Sequence, residues 1–500
     1  MLRMDIRAAL KPVTRENLAR LTRAELLDFA LGEQDIRQQF ETRLALKEEE
    51  FLCLGDRYLR LKNKAFIPSS ERQPRSKKIK KKLSKLASDR TLKPSERYPN
   101  AAVIDQDVEL SPPPGCDHCG CEMIDSGMTE VTESLSVIPK QYLIKRQHLH
   151  KYCCKNCHGG IVTTPSPPRI KSGSSYDDEL IIDVSLSKYC DLIPIERYCK
   201  MAARQGFPGL PPHSMIELTH YLADFLTPVY ELIRKEVQSS RVLHADETPH
   251  KMLEGSHTAN WYLWGFSNME ASYFECHGTR SGDVAWKFLQ DSKCQYLMSD
   301  VFSGYSKAVR LANEGRAKEK ISPITAVYCN VHARRKLREI PGEDGDFFVD
   351  RYAEIYRIEA ESKVLSLQNR TTSRQSIRPI FEQMKVKAIE LKDSYSTKSD
   401  PYRYLNYLLN NYEGLTRCLD DPDIPLDNNH EERQLRNPVI GRKTWYGTHS
   451  KRGALTAQIL FSIVESCKLN NINPREYIQK VVRAIHQNLP AFTPADFSKK

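Results

Sequence analysis

The sequence predicts a multidomain α+β protein. It combines an N-terminal helical, coiled-coil-like region, a small zinc-ribbon-like module, and an α/β core with a mixed sheet and a helical insertion. Three observations carry this expectation. Apolar residues near the N-terminus recur at helical spacing, two Cys-x-x-Cys pairs sit between proline-rich bounds, and short β-type runs alternate with helical ones from Arg241 onward. A chain of 500 residues also exceeds one ordinary domain of about 150 residues. With 40% hydrophobic and 28% charged residues, composition excludes a wholly disordered chain, a collagen and a bare coiled coil.

Residues 1–67 read as helical. Thr22 and Glu25 form a T-x-x-E start signal. Phe29, Ile36, Phe40, Leu44, Phe51, Leu54, Tyr58 and Leu61 follow at near-heptad spacing. Such a stripe suits either a dimer seam or a helix packed on its own protein, and Gly32 and Gly55 weaken it. Residues 68–111 read as a basic, proline-containing linker. Its ERQPRSKKIKKKLSK stretch includes Lys77, Lys78, Lys80, Lys81 and Lys82. A like-charge block of this kind is either a solvated spacer or an arm that lies along phosphates.

Residues 112–168 contain CDHC (Cys116, Cys119) and CKNC (Cys154, Cys157). Four thiolates from two such pairs suit a closed structural Zn²⁺ site, with a hairpin filling the gap between them. Cys121, Cys153, His118 and His158 are spare donors, so the ligand set is open. Residues 176–239 read as helical, with a break at GFPGLPP.

From Arg241 the runs RVLHAD, NWYLWGF, SYFEC, CQYLMSD and ITAVYC read as strands. SGDVAWKFLQ, with Ser281 as N-cap, and SGYSKAVRLANEG read as helices between the later ones, in the order β-β-β-α-β-α-β. Residues 346–413 read as polar, long and helical. Asp246 and Asp300 end two of the strands, and Asp427 or Asn428 caps a helix carrying Glu431 and Glu432. Clustered carboxylates of this kind cannot all stay ionised without a cation. Mg²⁺ or Mn²⁺ is the hard-ligand partner such oxygens select. Each acid also has a structural reading, as a turn or helix cap.

HADETPHKML, WYLWGF, LMSDVFSGY, YCNVHARRKL and DNNHEERQLRNPVIGRKTWYGTHSKRGA, in that order, resemble the catalytic blocks of the insertion sequence 66 family of bacterial transposases. Upstream, SKYCDLIPIERYCKMAARQG resembles the family's helical region and the paired cysteines its zinc-binding domain. The N-terminal stripe resembles its leucine-zipper-like region, and KAFIPSSERQ the stretch that ends that region. The resemblance implies an RNase H-like DDE catalytic core over residues 240–440, a C-terminal region over 441–500, and the carboxylates Asp246, Asp300 and Glu432 as catalytic and magnesium-binding residues. Spacings of 54 (246 to 300) and 132 (300 to 432) fit the family's helical insertion before the glutamate, here about residues 340–420. Val301-Phe302 departs from the family's Gly-Tyr after the second aspartate.

The activity so implied is DNA transposition, with two-metal-ion phosphodiester hydrolysis at the element ends and strand transfer to target DNA. An RNase H-like nuclease without strand transfer and a catalytically inactive DNA-binding derivative are the alternatives. The net charge of +11 agrees with a polyanionic partner. Arg442, Lys443, Lys451 and Arg452 around Trp445 suit contact with element-end DNA, unless Trp445 packs on the core. Synapsis of two ends implies a homodimer or larger assembly, and the family often works with small accessory proteins. No apolar stretch of about 18 residues and no signal-type N-terminus is present, so the expected place is the bacterial cytoplasm, at the nucleoid and away from membranes.

Overall fold

The computed structural model describes Thr22 and residues 92–99, 101–108, 114–123, 129–138, 140–156, 160–254, 260–362 and 367–499. The stripe from Phe29 to Leu61 and the lysines at 77, 78, 80, 81 and 82 lie outside the described residues, as does Cys157. The chain divides into two units. One holds Leu149–Ala203 and Pro208–Lys500, and the other Ile67–His148 with Arg204–Phe207.

In the smaller unit, α1 (Pro94–Arg97) starts with a proline, as suits a first helical turn. The Ser95 amide and hydroxyl donate to the Glu133 carboxylate at 2.8 and 3.0 Å. The segment 114–123 folds back on itself, with the Cys116 amide donating to Cys121 O at 2.8 Å and the Gly120 amide to Cys116 O at 2.8 Å.

The larger unit opens with a two-stranded ribbon, β1 (Lys151–Tyr152) against β2 (Val162–Thr163). Helices α2 (Asp178–Tyr189), α3 (Ile195–Arg204), α4 (Pro212–Phe225) and α5 (Thr227–Gln238) follow. Prolines at 194, 212 and 228 separate them, because proline starts a helix but cannot continue one. Next come β3 (Val242–Lys251), β4 (Asn260–Ser267), β5 (Ser272–His277), α6 (Gly282–Leu289), β6 (Tyr296–Ser299), α7 (Ser303–Lys318) and β7 (Thr325–Tyr328). This is the β-β-β-α-β-α-β order expected from the run pattern. Ser281 caps α6 as expected, its side chain accepting from the Asp283 amide.

The sheet order is β5-β4-β3-β6-β7. The first three strands are antiparallel, and β6 and β7 run parallel to β3. Central β3 buries Leu243, His244 and Ala245 in succession, as a strand covered on both faces does.

Edge strand β5 is closed by α16 (Lys451–Leu469). Gln458 Oε1, Ser462 Oγ and Ser466 Oγ accept the Cys276, Phe274 and Ser272 amides at 2.9, 2.9 and 3.0 Å. The match is geometric: four helical residues rise about 6 Å and two strand residues about 6.8 Å, so a helix with a polar residue every fourth position can satisfy an open strand edge. Ser462→Ala is expected to leave the buried Phe274 amide unpaired and to cost about 1–2 kcal/mol, read as a shifted urea midpoint with unchanged m-value.

The helical insertion comprises α8 (Asn330–Leu337), α9 (Glu343–Ser362), α10 (Leu367–Gln375), α11 (Arg378–Lys392), α12 (Asp400–Asn410) and α13 (Tyr412–Thr416). Its apolar faces share one core with β6 and β7, including Met298, Val327, Phe348, Phe381 and Leu408. Fully buried Arg374 ties the insertion to residues 418–424. It pairs with Glu359 and donates to the carbonyls of Cys418, Asp421 and Ile424 at 2.7–2.9 Å. That fixes the segment leading into α14 (Asn429–Gln434).

Then come α15 (Arg436–Trp445), α16, α17 (Pro474–His486) and α18 (Pro494–Ser498). The break between α14 and α15 follows from Pro438, which has no N–H for the Gln434 carbonyl. Among the described residues no helix is long and apolar enough to cross a membrane.

Candidate active site

β3 and β6 pair in parallel with Val242 opposite Tyr296, Leu243 opposite Leu297 and His244 opposite Met298. Two residues further in the same register stand Asp246, still within β3, and Asp300, just past β6. Neighbouring strands are about 4.8 Å apart, so this register brings two carboxylates to one end of the sheet. Asp300 Oδ1 accepts the Phe302 amide at 2.9 Å, which turns the chain into α7. Asp246 Oδ1 accepts the Glu247 amide at 2.9 Å.

Glu432 reaches the same end from α14. Its charge and those of Glu247 and Asp300 all act on Asp246. Burial first, and these negative neighbours next, push the Asp246 carboxyl up to about 8. Glu432 Oε1 is buried without a hydrogen-bond partner among the described residues. It lies 3.8 Å from His332 Nδ1 on α8, which is orphaned in the same way. Burial lowers the His332 pKa, so this pair is not a settled salt bridge. With Cys329, the two form a group whose ligand atoms all lie within 4.8 Å of one another.

The first turn of α14 is fastened to the sheet at three points. Asn428, the residue before the helix, does not cap it with its side chain. It bridges the strand ends instead: Nδ2 donates to Ala245 O at 2.9 Å, Oδ1 meets His244 Nδ1 at 2.9 Å, and its amide donates to Cys329 Sγ at 3.2 Å. Burial lowers the His244 pKa to about 3, so the ring is neutral and its Nδ1–H donates to Asn428. Capping by Asn428, one of two options expected from sequence, thus gives way to a longer-range role. Asp427 Oδ1 accepts the Asn429 amide at 3.0 Å. His430 Nε2 meets Asn268 O at 2.6 Å, at the β4–β5 turn.

Glu431 is fully buried and hydrogen-bonds to the Ser267 hydroxyl on β4. It lies over Gly265, where a Cβ would collide with its carboxylate. Burial, reduced by the Ser267 bond and reinforced by Asp246, pushes Glu431 up to about 8. Successive helical residues point about 100° apart, so Glu431 enters the sheet while half-buried Glu432 faces the aspartates. Asn428→Ala is expected to keep the backbone bond to Cys329 but to lose the side-chain tie between β3 and α14, leaving the buried Ala245 carbonyl and His244 Nδ1 unpaired. A loss of about 1–3 kcal/mol, read as a shifted urea midpoint, is the outcome to check.

The Transposase IS66 family matches this chain over residues 173–456. That span is more than half of the chain and holds the sheet, the insertion and all three carboxylates. The chain belongs to this family. Relatives in Sinorhizobium fredii include Uncharacterized protein y4hP, 26% identical over 404 residues that cover 76% of this chain and 72% of the relative. Uncharacterized protein y4jD is 26% identical over 385 residues, covering 74% of each chain. Uncharacterized protein y4qI is 24% identical over 436 residues, covering 83% of this chain and 79% of its own length. Membership supports a transposase role and, with it, DNA as partner and a divalent-metal requirement.

Cys116 and Cys119 belong to the smaller unit, and Cys154 to the larger. The His118 and Cys119 amides hydrogen-bond to the Cys116 sulfur and lower its pKa, as a thiolate-binding knuckle does. Trp445 stands edge-on to buried Tyr189, with ring centroids 6.2 Å apart, and lies beside Gly441. Arg442 is half-buried, while Lys443 and Lys451 are exposed. Arg452 pairs with Glu217 at 3.1 Å and Asp224 at 3.2 Å. Tyr446, exposed and in the left-handed region at φ 67°, begins a turn that zips Thr448 onto the end of β3.

Sequence reasoning missed Glu247, Arg280, Tyr305 and Ser267. Glu247 was available as the acid beside Asp246. The other three carry no local signal.

Proposed function

We propose that the chain is a DDE transposase acting on the ends of an insertion sequence, with Asp246, Asp300 and Glu432 as its catalytic carboxylates. The observation that carries this reading is the meeting of their charges at Asp246 inside the family's matched span. Three acids, two of which raise the proton affinity of Asp246 and one of which has an orphaned buried oxygen, fit hard divalent cations, Mg²⁺ or Mn²⁺. When bound, such ions supply a lowered pKa for the attacking water or 3′-hydroxyl and charge neutralisation at the leaving oxygen of an in-line displacement.

The chain's own residues do the rest. Asp246, whose proton affinity is raised by burial and by its acidic neighbours, would give up that proton on holding a cation. Asn428, His430 and Glu431 hold α14 so that Glu432 faces the aspartates. His332, kept neutral by burial, faces Glu432 without competing for it as a fixed cation would. Hydrolysis at an element end and attack of the freed 3′-hydroxyl on target DNA differ only in the nucleophile, so one site serves both.

Around this RNase H-like core we place the remaining modules. Cys116, Cys119, Cys154 and Cys157 hold a structural Zn²⁺. The knuckle at Cys116 supports this, and metal analysis before and after Cys154→Ser tests it. The basic linker at 68–111 and the cations Arg442, Lys443 and Lys451 contact DNA. The helical seam at 29–61 brings two copies together at paired ends.

Incubating the full chain with element-end DNA, a supercoiled plasmid and Mg²⁺ or Mn²⁺ tests the function. Joined products are expected. Nicks without joining would favour a nuclease, and inertness with intact binding a catalytically inactive derivative.

A further inference from the structure

Arg280 lies on the link between β5 and α6, and its guanidinium is held from two sides. Nε and Nη2 donate to Glu247 Oε1 at 2.8 and 2.5 Å. Its central carbon sits 4.2 Å from the centre of the Phe302 ring. Both supports are themselves built. The Glu247 side chain is only 2% exposed, and its other oxygen accepts from the Tyr305 hydroxyl at 2.5 Å. Phe302 stands edge-on to Tyr305 at 6.0 Å and over Gly304, where a Cβ would collide with its ring. The aromatic two residues after Asp300, where this chain departs from the family's Gly-Tyr, is thus the platform on which the guanidinium rests.

Although it pairs with buried Glu247, Arg280 keeps 48% of its side chain exposed, so its guanidinium can be reached from solvent. Burial opposes its charge, but the bond to Glu247 and the negative charges of Glu247 and Asp300 hold its pKa above the ordinary value, so it stays cationic next to the carboxylate site. Its rotamer freedom is already spent on Glu247 and Phe302, and Glu247 leaves the Nη1 side uncovered. A planar cation fixed in this way suits a phosphate oxygen.

We propose that Arg280 is a phosphate-binding residue at the mouth of the carboxylate site, gripping a DNA phosphodiester beside the scissile one, with Glu247 and Phe302 as its positioning residues. The inference rests on the carboxylate reading above, which puts the scissile phosphate next to Asp300.

The test is equilibrium binding of the full chain to a short DNA duplex with one frayed end, without divalent cations, over a series of salt concentrations. The double variant Glu247→Gln/Arg280→Gln removes the ion pair without changing net charge or leaving a buried acid unpaired. Its slope of log affinity against log salt is expected to be flatter than the parent's by about 0.9, the value of one lost phosphate contact, whereas Arg280→Lys keeps the parent slope. A parent-like slope in the double variant overturns the proposal and leaves Arg280 as the counter-ion of Glu247. Should the double variant melt below the assay temperature, Arg280→Gln is read against Arg357→Gln, which removes a paired, exposed arginine on α9. Equal slopes for those two overturn the proposal as well. Asp300→Asn, assayed for cleavage with Mg²⁺ and for binding as above, tells the two readings apart. Retained cleavage sinks the carboxylate site, while lost cleavage at parent slope leaves the slope of the Arg280 variants to decide the phosphate contact.

Discussion

Glu432→Gln is expected to abolish DNA cleavage, whereas Glu431→Gln, one residue away, retains it. Glu432 faces Asp246 and Asp300, and a neutral amide there forfeits one anionic ligand of a divalent cation. That loss is worth several kcal/mol in the transition state, or about a thousandfold or more in rate. Glu431 is already held toward its neutral form by burial over Gly265, against the pull of its bond to Ser267. Glutamine keeps its size and its bond to the Ser267 hydroxyl, so the rate should stay within about tenfold of the parent. Single-turnover nicking of end DNA measures both. Equal loss in the two variants would mean that the helix presents its acids differently from this structure.

A second large effect is a pH-dependent gain of stability from divalent cations. Asp246 moves from an ordinary 3.8 to about 8 in the folded chain, and Glu431 from 4.5 to about 8. Between those values the folded protein holds protons that the unfolded chain has released. Without cations, stability is therefore full below about pH 4 and drains as pH rises toward 8. A cation reverses this by replacing the proton on Asp246. At pH 8, Mg²⁺ at a hundred times its dissociation constant should add about 2.7 kcal/mol. At pH 6 the proton competes, affinity falls by one to two powers of ten, and the same concentration should add only about 0.6 kcal/mol. Urea unfolding at both pH values, with and without Mg²⁺, checks this. An equal gain at pH 6 would mean that the cation binds without displacing that proton.

Much of the architecture was legible because it is written in local patterns. Apolar runs of strand length around Leu243, Trp264, Phe274, Leu297 and Val327 set the sheet, and Ser281 marked a helix start. The break at GFPGLPP, which ends at Pro212, falls between α3 and α4 as expected, whereas the divisions at Pro194, Pro228 and Pro438 were not marked from sequence.

The support of the candidate site was not legible in the same way. Asn428 meets Ala245, Glu431 meets Ser267, and Arg280 rests on Phe302 through folding of the whole domain. Asparagine beside a helix start reads locally as a cap, and only the strand ends packed behind it reveal a bridge. Glu431 and Glu432 are indistinguishable as letters. They separate only through the turn of the helix and the bare Gly265 that makes room for one of them. Trp445 had two readings from sequence, and the structure places its ring against Tyr189 while Tyr446 and Lys443 face outward.

The central claim is that Asp246, Asp300 and Glu432 hold cations in common. Anomalous diffraction from crystals of the protein soaked in Mn²⁺ tests it most directly. The account predicts manganese peaks within coordination distance, about 2.0–2.4 Å, of oxygens from all three side chains, and their loss in Asp300→Asn. Manganese seated only among Cys329, His332 and Glu432, or only on acids elsewhere on the surface, would contradict it.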